Sequence, residues 1–297
     1  MNKGHCGYVA IIGRPNVGKS TLLNYLLGQK LSITSRKPQT TRHRLLGIKT
    51  EGNNQIIYVD TPGLHQGQHN AMNRYLNRAA KSSIEGVDVI VWLVEALRWT
   101  EEDNFVLNAL EQTDVPVILG VNKIDKVSAQ QKLLPYLQEA ATKRNFAEIF
   151  PISALKGKNL LELQAQITNR LPISAWIFPE DQITDRTERF LCAEIVREKL
   201  VRRLGAELPY RITVQIELFS TGKKLTHISA LIWVERHGQK VIVVGKKGQV
   251  LKAVGEEARK EMETLLNCKI FLQLWVKVKA GWCDNERALR QLGYSDN

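Results

Sequence analysis

The stretch Gly13-Arg14-Pro15-Asn16-Val17-Gly18-Lys19-Ser20 limits what this chain can fold into more than any other. It follows a short apolar run, Tyr8 to Ile12, and opens a helical pattern that continues through Thr21-Leu22-Leu23-Asn24-Tyr25-Leu26-Leu27. A G-x-x-x-x-G-K-[ST] motif set between a strand and a helix is a phosphate-binding loop. Its backbone N–H groups turn inward around an anion, and the helix N-terminus adds partial positive charge. In that geometry Lys19 reaches the β- and γ-phosphates of a nucleotide, and the Ser20 hydroxyl is a ligand for Mg²⁺. A glycine-rich turn without chemistry is the competing reading, and the flanking strand and helix count against it. Residues 13–21, from Gly13 to Thr21, are therefore the first candidate nucleotide-binding set.

From residue 5 to about 172, strand-like and helix-like stretches alternate. Apolar runs fall at 8–12, 56–59, 87–94, 115–121 and 148–152, with helical periodicity at 73–83, 101–110, 129–143 and 159–168. This alternation predicts an α/β domain with a mostly parallel sheet and its ligand at the C-terminal strand ends. Pro172 and Pro179 break the pattern, so a first domain is expected at 1–172 and a linker at 173–186. The remainder, 187–297, predicts a smaller α+β domain. An amphipathic helix at 187–204 places Leu191, Ile195, Leu200 and Leu204 near one side. Strands follow at 211–218 and 226–234, and the run 241–244 leads as a strand into Gly245-Lys246-Lys247-Gly248. A helix at 249–266 and a strand at 269–278 complete it.

Further signals in the first domain arrive in the order a GTPase needs. Asp60-Thr61-Pro62-Gly63 closes the run at 56–59. A carboxylate there holds Mg²⁺ through water, while the Gly63 N–H meets the γ-phosphate. Asn122-Lys123-Ile124-Asp125 follows the run at 115–121. The Asp125 carboxylate accepts from both N1–H and the exocyclic N2 of guanine. Adenine lacks that donor pair and would leave Asp125 desolvated and unpaired. Ser153-Ala154-Leu155, after the last strand, offers the Ala154 N–H to guanine O6. Between the P-loop and Asp60, a threonine in 35–42 closes over Mg²⁺ and the γ-phosphate when GTP is bound. Thr41 is preferred over Thr40, though the sequence leaves both open. The candidate Mg²⁺ ligands are Ser20, Thr41 and Asp60. Each motif alone has a bland reading, a turn for Asp60–Gly63 or a helix cap for Asn122 and Asp125. Their order along one chain carries the guanine-nucleotide reading.

The blocks GRPNVGKSTLLN, PQTTRHR, DTPGLH, NKID and SAL are joined to ELPY at 207–210, VVGKKG at 243–248 and a tail from Gly281-Trp282 to Gly293-Tyr294. Together they resemble the translation-factor-type GTPases and, within them, the Era family, over essentially the whole chain. The resemblance implies a P-loop GTPase domain followed by a type II KH domain, GTP and GDP with Mg²⁺ as ligands, and GTP hydrolysis. It further implies binding to the 3′ end of 16S rRNA, assistance to 30S subunit assembly, and a peripheral place on the cytoplasmic side of the inner membrane. A monomer is expected. Family relatives with Asn at the position of Asn16 hold K⁺ in the P-loop, where it substitutes for an arginine finger. A loop-stabilising role is the plainer reading of Asn16, and both stand. Asn16, Lys19 and Thr41 are the candidate catalytic residues. Leu64 departs from the common GTPase pattern, which has a water-positioning Gln there. Leucine can neither orient water nor do acid–base work, so hydrolysis is expected to use another group or to be slow without a partner.

Charge supports the RNA half independently. The formal net charge of +12 suggests a polyanionic partner. Residues 181–297 carry 21 Lys and Arg against 15 Asp and Glu, the same excess as the longer first segment and so a higher density. A GxxG loop lets backbone approach RNA while flanking lysines face phosphate, making Gly245, Lys246, Lys247 and Gly248 the candidate RNA contacts. His227 and His237 read as ordinary strand-end residues. Cys6, Cys192, Cys268 and Cys283 lie scattered, which argues reduced thiols over a disulfide frame or a zinc site. The N-terminus lacks a signal-peptide core, and no apolar run approaches the roughly 20 residues of a membrane span, so a cytoplasmic protein is expected. A nucleotide kinase is disfavoured because no acceptor-site signal accompanies the guanine motifs. An RNA-binding assembly factor whose nucleotide is structural is the alternative to a hydrolysing switch.

Overall fold

The computed structural model describes residues 4–35, 37, 40–63, 71–205, 208–222 and 224–294. The chain divides into two compact units, Met1–Thr34 with Thr41–Gly67 and Tyr75–Asp185, and Ser35–Thr40 with Gln68–Arg74 and Arg186–Asn297. Up to residue 174 the elements are β1 (Gly4–Ile12), α1 (Lys19–Leu27), β2 (Leu45–Glu51), β3 (Asn54–Asp60), α2 (Ala71–Ser82), β4 (Val89–Glu95), α3 (Glu101–Leu110), β5 (Val117–Asn122), α4 (Leu133–Ala141), β6 (Glu148–Pro151), α5 (Leu160–Thr168) and β7 (Ile173–Ser174). The strands lie in the order β2-β3-β1-β4-β5-β6, with β7 antiparallel to the start of β1. Apart from β7 and the antiparallel edge pair β2–β3, the pairings are parallel. Val9 to Ile12 and Val89 to Val94 are fully buried, which is why these strands are unbroken apolar runs without alternation. Parallel pairing delivers the ends of β1, β3, β4, β5 and β6 to one edge of the sheet, where the sequence motifs stand.

β2 is not among the strands that the sequence pattern predicts. It pairs with β3 across the turn at Gly52-Asn53, burying Leu45 and Ile48, while Lys49 and Thr50 interrupt the apolar signal. The segment expected as a linker runs along the first unit as far as Asp185. The Ile48 N–H donates to the Ile183 carbonyl at 2.9 Å. The fully buried Gln55 holds the segment's middle. Its Oε1 accepts from the N–H groups of Ile177 and Phe178, each at 2.9 Å, and its Nε2 donates to the Phe178 carbonyl at 2.8 Å.

The second unit contains α6 (Glu188–Arg203), β8 (Ile212–Thr221), β9 (Thr226–Val234), α7 (His237–Val244), α8 (Gln249–Leu266), β10 (Ile270–Val278) and α9 (Glu286–Gln291). Its sheet has the order β10-β9-β8, with β9 parallel to β10 and antiparallel to β8. Thr187 caps α6 by accepting from the Phe190 N–H. Ile195 and Leu200 of α6, with Val254, Ala258 and Met262 of α8, pack on Ile228, Ala230 and Ile232 of β9. The run 241–244 corrects the sequence reading: it is the last turn of α7, not a strand. Its β-branched residues favour a strand, but Val243 alone is buried in the core, while Val241 and Ile242 are exposed. The glycine loop therefore lies between two helices, and His237 opens a helix instead of ending a strand.

The four cysteines are unpaired thiols, and burial pushes the Cys192 thiol up to about 12. Among the described residues, no group of three or more His, Cys, Asp or Glu is placed to hold a metal ion, and no helix is long and apolar enough to cross a membrane. Replacing Gln55→Leu strands two N–H groups and a carbonyl of the 177–178 segment at a buried contact. A loss of about 2–4 kcal/mol in unfolding free energy is expected from urea titration. A change below about 0.5 kcal/mol, the range of an ordinary surface substitution, would show that Gln55 does not hold the segment.

Candidate nucleotide site and glycine loop

β1 ends at the sheet edge, and the chain turns over 13–18 into α1, whose first residues are Lys19 and Ser20. Arg14 points away from the loop's mouth and is buried. Its Nη2 donates to Glu95 Oε2 at 2.9 Å and its Nε to Asp103 Oδ2 at 3.2 Å. Lys123 Nζ donates to the same Glu95 oxygen at 3.0 Å. Glu95, the last residue of β4, thus ties the P-loop to the loop after β5. Burial alone would raise its carboxyl, but Lys123 and Arg14 outweigh that and hold it below the usual range. The sequence reading missed Glu95 and Asp103 because neither belongs to a motif. The available signal was a carboxylate closing an apolar parallel strand at the end where ligands bind.

Asn122 spans the loops. Its Nδ2 donates to the Val17 carbonyl at 2.8 Å, and its Oδ1 accepts from the Ala154 N–H at 2.9 Å. The N–H expected at guanine O6 is therefore turned toward Asn122. A Cβ on Gly18 would stand 2.3 Å from Asn122 Nδ2, and Gly18 has φ 114°, so glycine is needed on both counts. Asp125 is exposed and accepts from the Ser153 hydroxyl, which brings the NKID and SAL loops together, while Leu155 is exposed. Gly63 lies against Pro15, where a Cβ would come within 2.8 Å of the proline nitrogen. Thr61 donates to the Ile11 carbonyl at 3.1 Å, and Pro62 links the two. Thr21 is half-buried on α1.

The three oxygens expected at Mg²⁺ converge. Ser20 Oγ lies 2.8 Å from Thr41 Oγ1, and both hydroxyls donate to Asp60 Oδ2, at 3.0 and 3.3 Å. Thr40 instead donates to the Lys37 carbonyl at 2.6 Å. Ser32, which the sequence reading missed for want of any motif, donates to the same Asp60 oxygen at 2.7 Å. Asp60 is fully buried and its Oδ1 has no hydrogen-bond partner. Burial raises its carboxyl, opposed by Ser32, Lys19, Ser20 and Thr41. A buried carboxylate with an unmatched oxygen beside two hydroxyls is an all-oxygen donor set, of the kind that holds Mg²⁺ jointly with phosphate. The residues present fit that ion.

Lys19 is buried, with Nζ donating to the Gly13 and Arg14 carbonyls at 2.9 Å each. Burial pulls its pKa down to about 8, with Asp60 opposing. Asn16 is exposed at φ 61°, a left-handed conformation that Asn tolerates better than most residues. Leu64, Pro38, Gln39 and Glu207 lie outside the described residues. In the second unit, Gly245 has φ 75° and Gly248 φ 77°, with Lys247 also left-handed at 50°. A Cβ on Gly245 would stand 2.4 Å from Val250 Cγ2. Lys246 and Lys247 are exposed, and the Gly248 N–H closes the turn on the Gly245 carbonyl at 3.1 Å.

Phosphate chemistry is the common theme: a P-loop with a buried lysine, a buried carboxylate and converging hydroxyls in one unit, an exposed basic turn in the other. That combination defines a P-loop GTPase joined to a KH-type module. Known proteins point the same way. A family model described as a 50S ribosome-binding GTPase matches residues 8–123, and one described as a KH domain matches 207–283. GTPase Era of Azotobacter vinelandii is 58% identical over 296 residues, covering 100% of this chain and 99% of that protein. GTPase Era of Pseudomonas aeruginosa is 58% identical over 291 residues, covering 98% and 95%. The chain belongs to the Era family of GTPases. A crystal structure of Era in complex with MgGDPNP and nucleotides 1506–1542 of 16S ribosomal RNA superposes with a TM-score of 0.96 at 43% identity, covering 99% of this chain and 100% of that one. A variant of Aquifex aeolicus Era bound to GDP and AlF4⁻ gives 0.95 at 43% identity, covering 98% and 100%.

The Lys19 environment has a consequence for stability. Without nucleotide, Lys19 keeps its proton to about 10.5 in the unfolded chain but only to about 8 when folded. Burying the charge therefore costs stability in full below pH 8, and the cost fades as pH rises to 10.5. Lys19→Met removes this titration. Wild-type stability relative to the variant is expected to rise by about 3 kcal/mol between pH 7 and pH 10.5. Urea unfolding at each pH measures it, and a pH-independent difference would contradict the burial of a charged Lys19.

Proposed function

We propose that this protein is a GTP-binding and GTP-hydrolysing switch that binds the 3′ end of 16S rRNA through its KH domain and assists 30S subunit assembly and maturation. The nucleotide work falls to residues 1–172, the RNA work to 187–297, and 173–186 joins them. The convergence of Ser20, Thr41 and Asp60 beside the P-loop carries the reading. It is supported by the full-length likeness to an Era structure that contains both MgGDPNP and 16S rRNA.

The loop N–H groups of 13–18 and Lys19 hold the phosphates, and Asp125 and Asn122 present the guanine-reading edge. Mg²⁺, when bound, would neutralise negative charge on the phosphates. Ser20, Thr41 and Asp60 would hold it. Phosphoryl transfer needs positioning and charge stabilisation more than covalent help. Lys19 supplies one cation, and the exposed Asn16 amide would ligand K⁺ as a second. The protein acts in the cytoplasm as a monomer. A peripheral contact with the inner membrane is supported by the net charge of +12, which attracts anionic headgroups.

Steady-state phosphate release tests the nucleotide half. Multiple turnover of GTP is expected, faster in K⁺ than in Na⁺ at equal ionic strength. Asn16→Ala should lose the salt difference, and Asp125→Asn should move the preference to xanthosine triphosphate. No turnover beyond one equivalent in either salt would favour the alternative, an assembly factor with a structural nucleotide. Titration with a single-stranded oligonucleotide of the 16S rRNA 3′ end tests the RNA half. Gly248→Asp, which strains a left-handed position and adds negative charge beside phosphate, should weaken binding at least tenfold and leave RNA-free GTP turnover near normal. Wild-type affinity in that variant would remove the glycine loop from RNA recognition.

A further inference from the structure

The sheet of the second unit has an outward face that the core does not use. Side chains along β9 and β10 alternate, and the inward set packs under α6 and α8. On the outward side, Phe271 is 47% and Trp275 57% exposed. The parallel register sets His227 opposite Phe271, Leu231 opposite Trp275, and Trp233 opposite Lys277. The His227 and Phe271 rings lie 5.4 Å apart, and the ammonium groups of Lys277 and Lys279 stand 6.0 and 5.8 Å from the Trp233 ring. Hydrogen-bonding side chains separate the rings. Ser229 donates to Gln273 at 3.2 Å, and Trp233 Nε1 donates to Gln215 at 3.3 Å. Glu217 is matched by Lys277 at 3.5 Å, while Lys279 Nζ donates to the neutral Gln291 Oε1 at 3.4 Å and so keeps its charge.

We propose that this outward face is a second RNA-binding surface. Unpaired bases of single-stranded RNA stack there on Phe271, Trp275 and Trp233, while Lys277 and Lys279 meet the flanking phosphates. This rests on the RNA-binding reading above and extends it to a surface separate from the glycine loop. Phe271 and Trp275 are four residues apart on one strand, about 13 Å, so each ring takes its own base. Base edges offer donors and acceptors to Gln215, Ser229 and Gln273. An apolar protein partner would desolvate the same amides without compensation.

The test uses the full chain and two fluorescein-labelled oligouridylates. One has about four nucleotides, the length a GxxG loop clamps. The other is long enough to occupy both surfaces. Phe271→Ala with Trp275→Ala is expected to lower affinity for the long oligonucleotide about fivefold or more. It should leave affinity for the short one unchanged, which also shows that the domain is folded. In a Gly248→Asp background the long oligonucleotide should retain binding that the same two alanines remove, and Trp275→Phe should preserve it. Unchanged affinity of the double-alanine protein for the long oligonucleotide overturns the proposal and leaves the glycine-loop reading standing. Unchanged short-oligonucleotide affinity in Gly248→Asp overturns the loop reading instead, and the long-oligonucleotide result still decides for or against the sheet face.

Discussion

The nucleotide site depends on one carboxamide. Asn122 donates to the P-loop at Val17 and accepts from the loop after β6 at Ala154, so one side chain sets the distance between a phosphate-binding and a base-binding segment. Both bonds are buried, where a geometric error is costly because a lost partner is not replaced by water. The constraint passes back to the sequence at Gly18, since any Cβ there would occupy the space of the amide. The second glycine of the P-loop is thus required twice over, by backbone conformation and by the residue that begins the NKID motif.

Glu95 repeats the design with charge. It accepts from Arg14 of the P-loop and Lys123 of NKID through one oxygen, at the end of a strand buried on both sides. Removing Arg14 or Lys123 would leave a partly buried carboxylate less compensated. Lys123 adopts a left-handed backbone conformation, a cost that the Glu95 pair helps to offset. Two crossbars, one an amide at the end of β5 and one ionic at the end of β4, therefore tie the P-loop to the loops after β5 and β6.

Most of this was legible in the sequence wherever backbone requirement and chemistry fall in the same short window. The P-loop, Asp60 and NKID are such windows, and the apolar runs that carry them are long enough to declare a parallel sheet. Legibility failed where the determinant is tertiary. Ser32, Gln55, Glu95 and Asp103 sit in unremarkable stretches and acquire meaning only from partners 28 to 123 positions away. The run 241–244 shows the reverse failure: local β preference is strong, but the core takes Val243, with Val244 packed partly against it, and leaves Val241 and Ile242 exposed, so the chain ends a helix there. Between Thr40 and Thr41 the sequence favours Thr41 and leaves both open. The structure sets the Thr41 hydroxyl beside Ser20 on Asp60 and the Thr40 hydroxyl on the Lys37 carbonyl, a difference made by tertiary partners.

The two phosphate-directed sites work in different dielectric regimes. At the P-loop, Lys19 and Asp60 are already out of water, their desolvation met by the fold before any ligand arrives. Charges held that way act at short range, are screened little by salt, and discriminate by geometry. Lys246 and Lys247 stay in solvent on a turn that the two flanking glycines keep open. Their attraction is long-ranged, weakens with ionic strength, and is indifferent to which phosphate it meets. A buried charge suits a small ligand of fixed geometry and an exposed one suits an extended polyanion, and this chain carries both. It obtains them by burying one lysine against carbonyls and leaving two others free, with glycine conformation deciding the matter at each place.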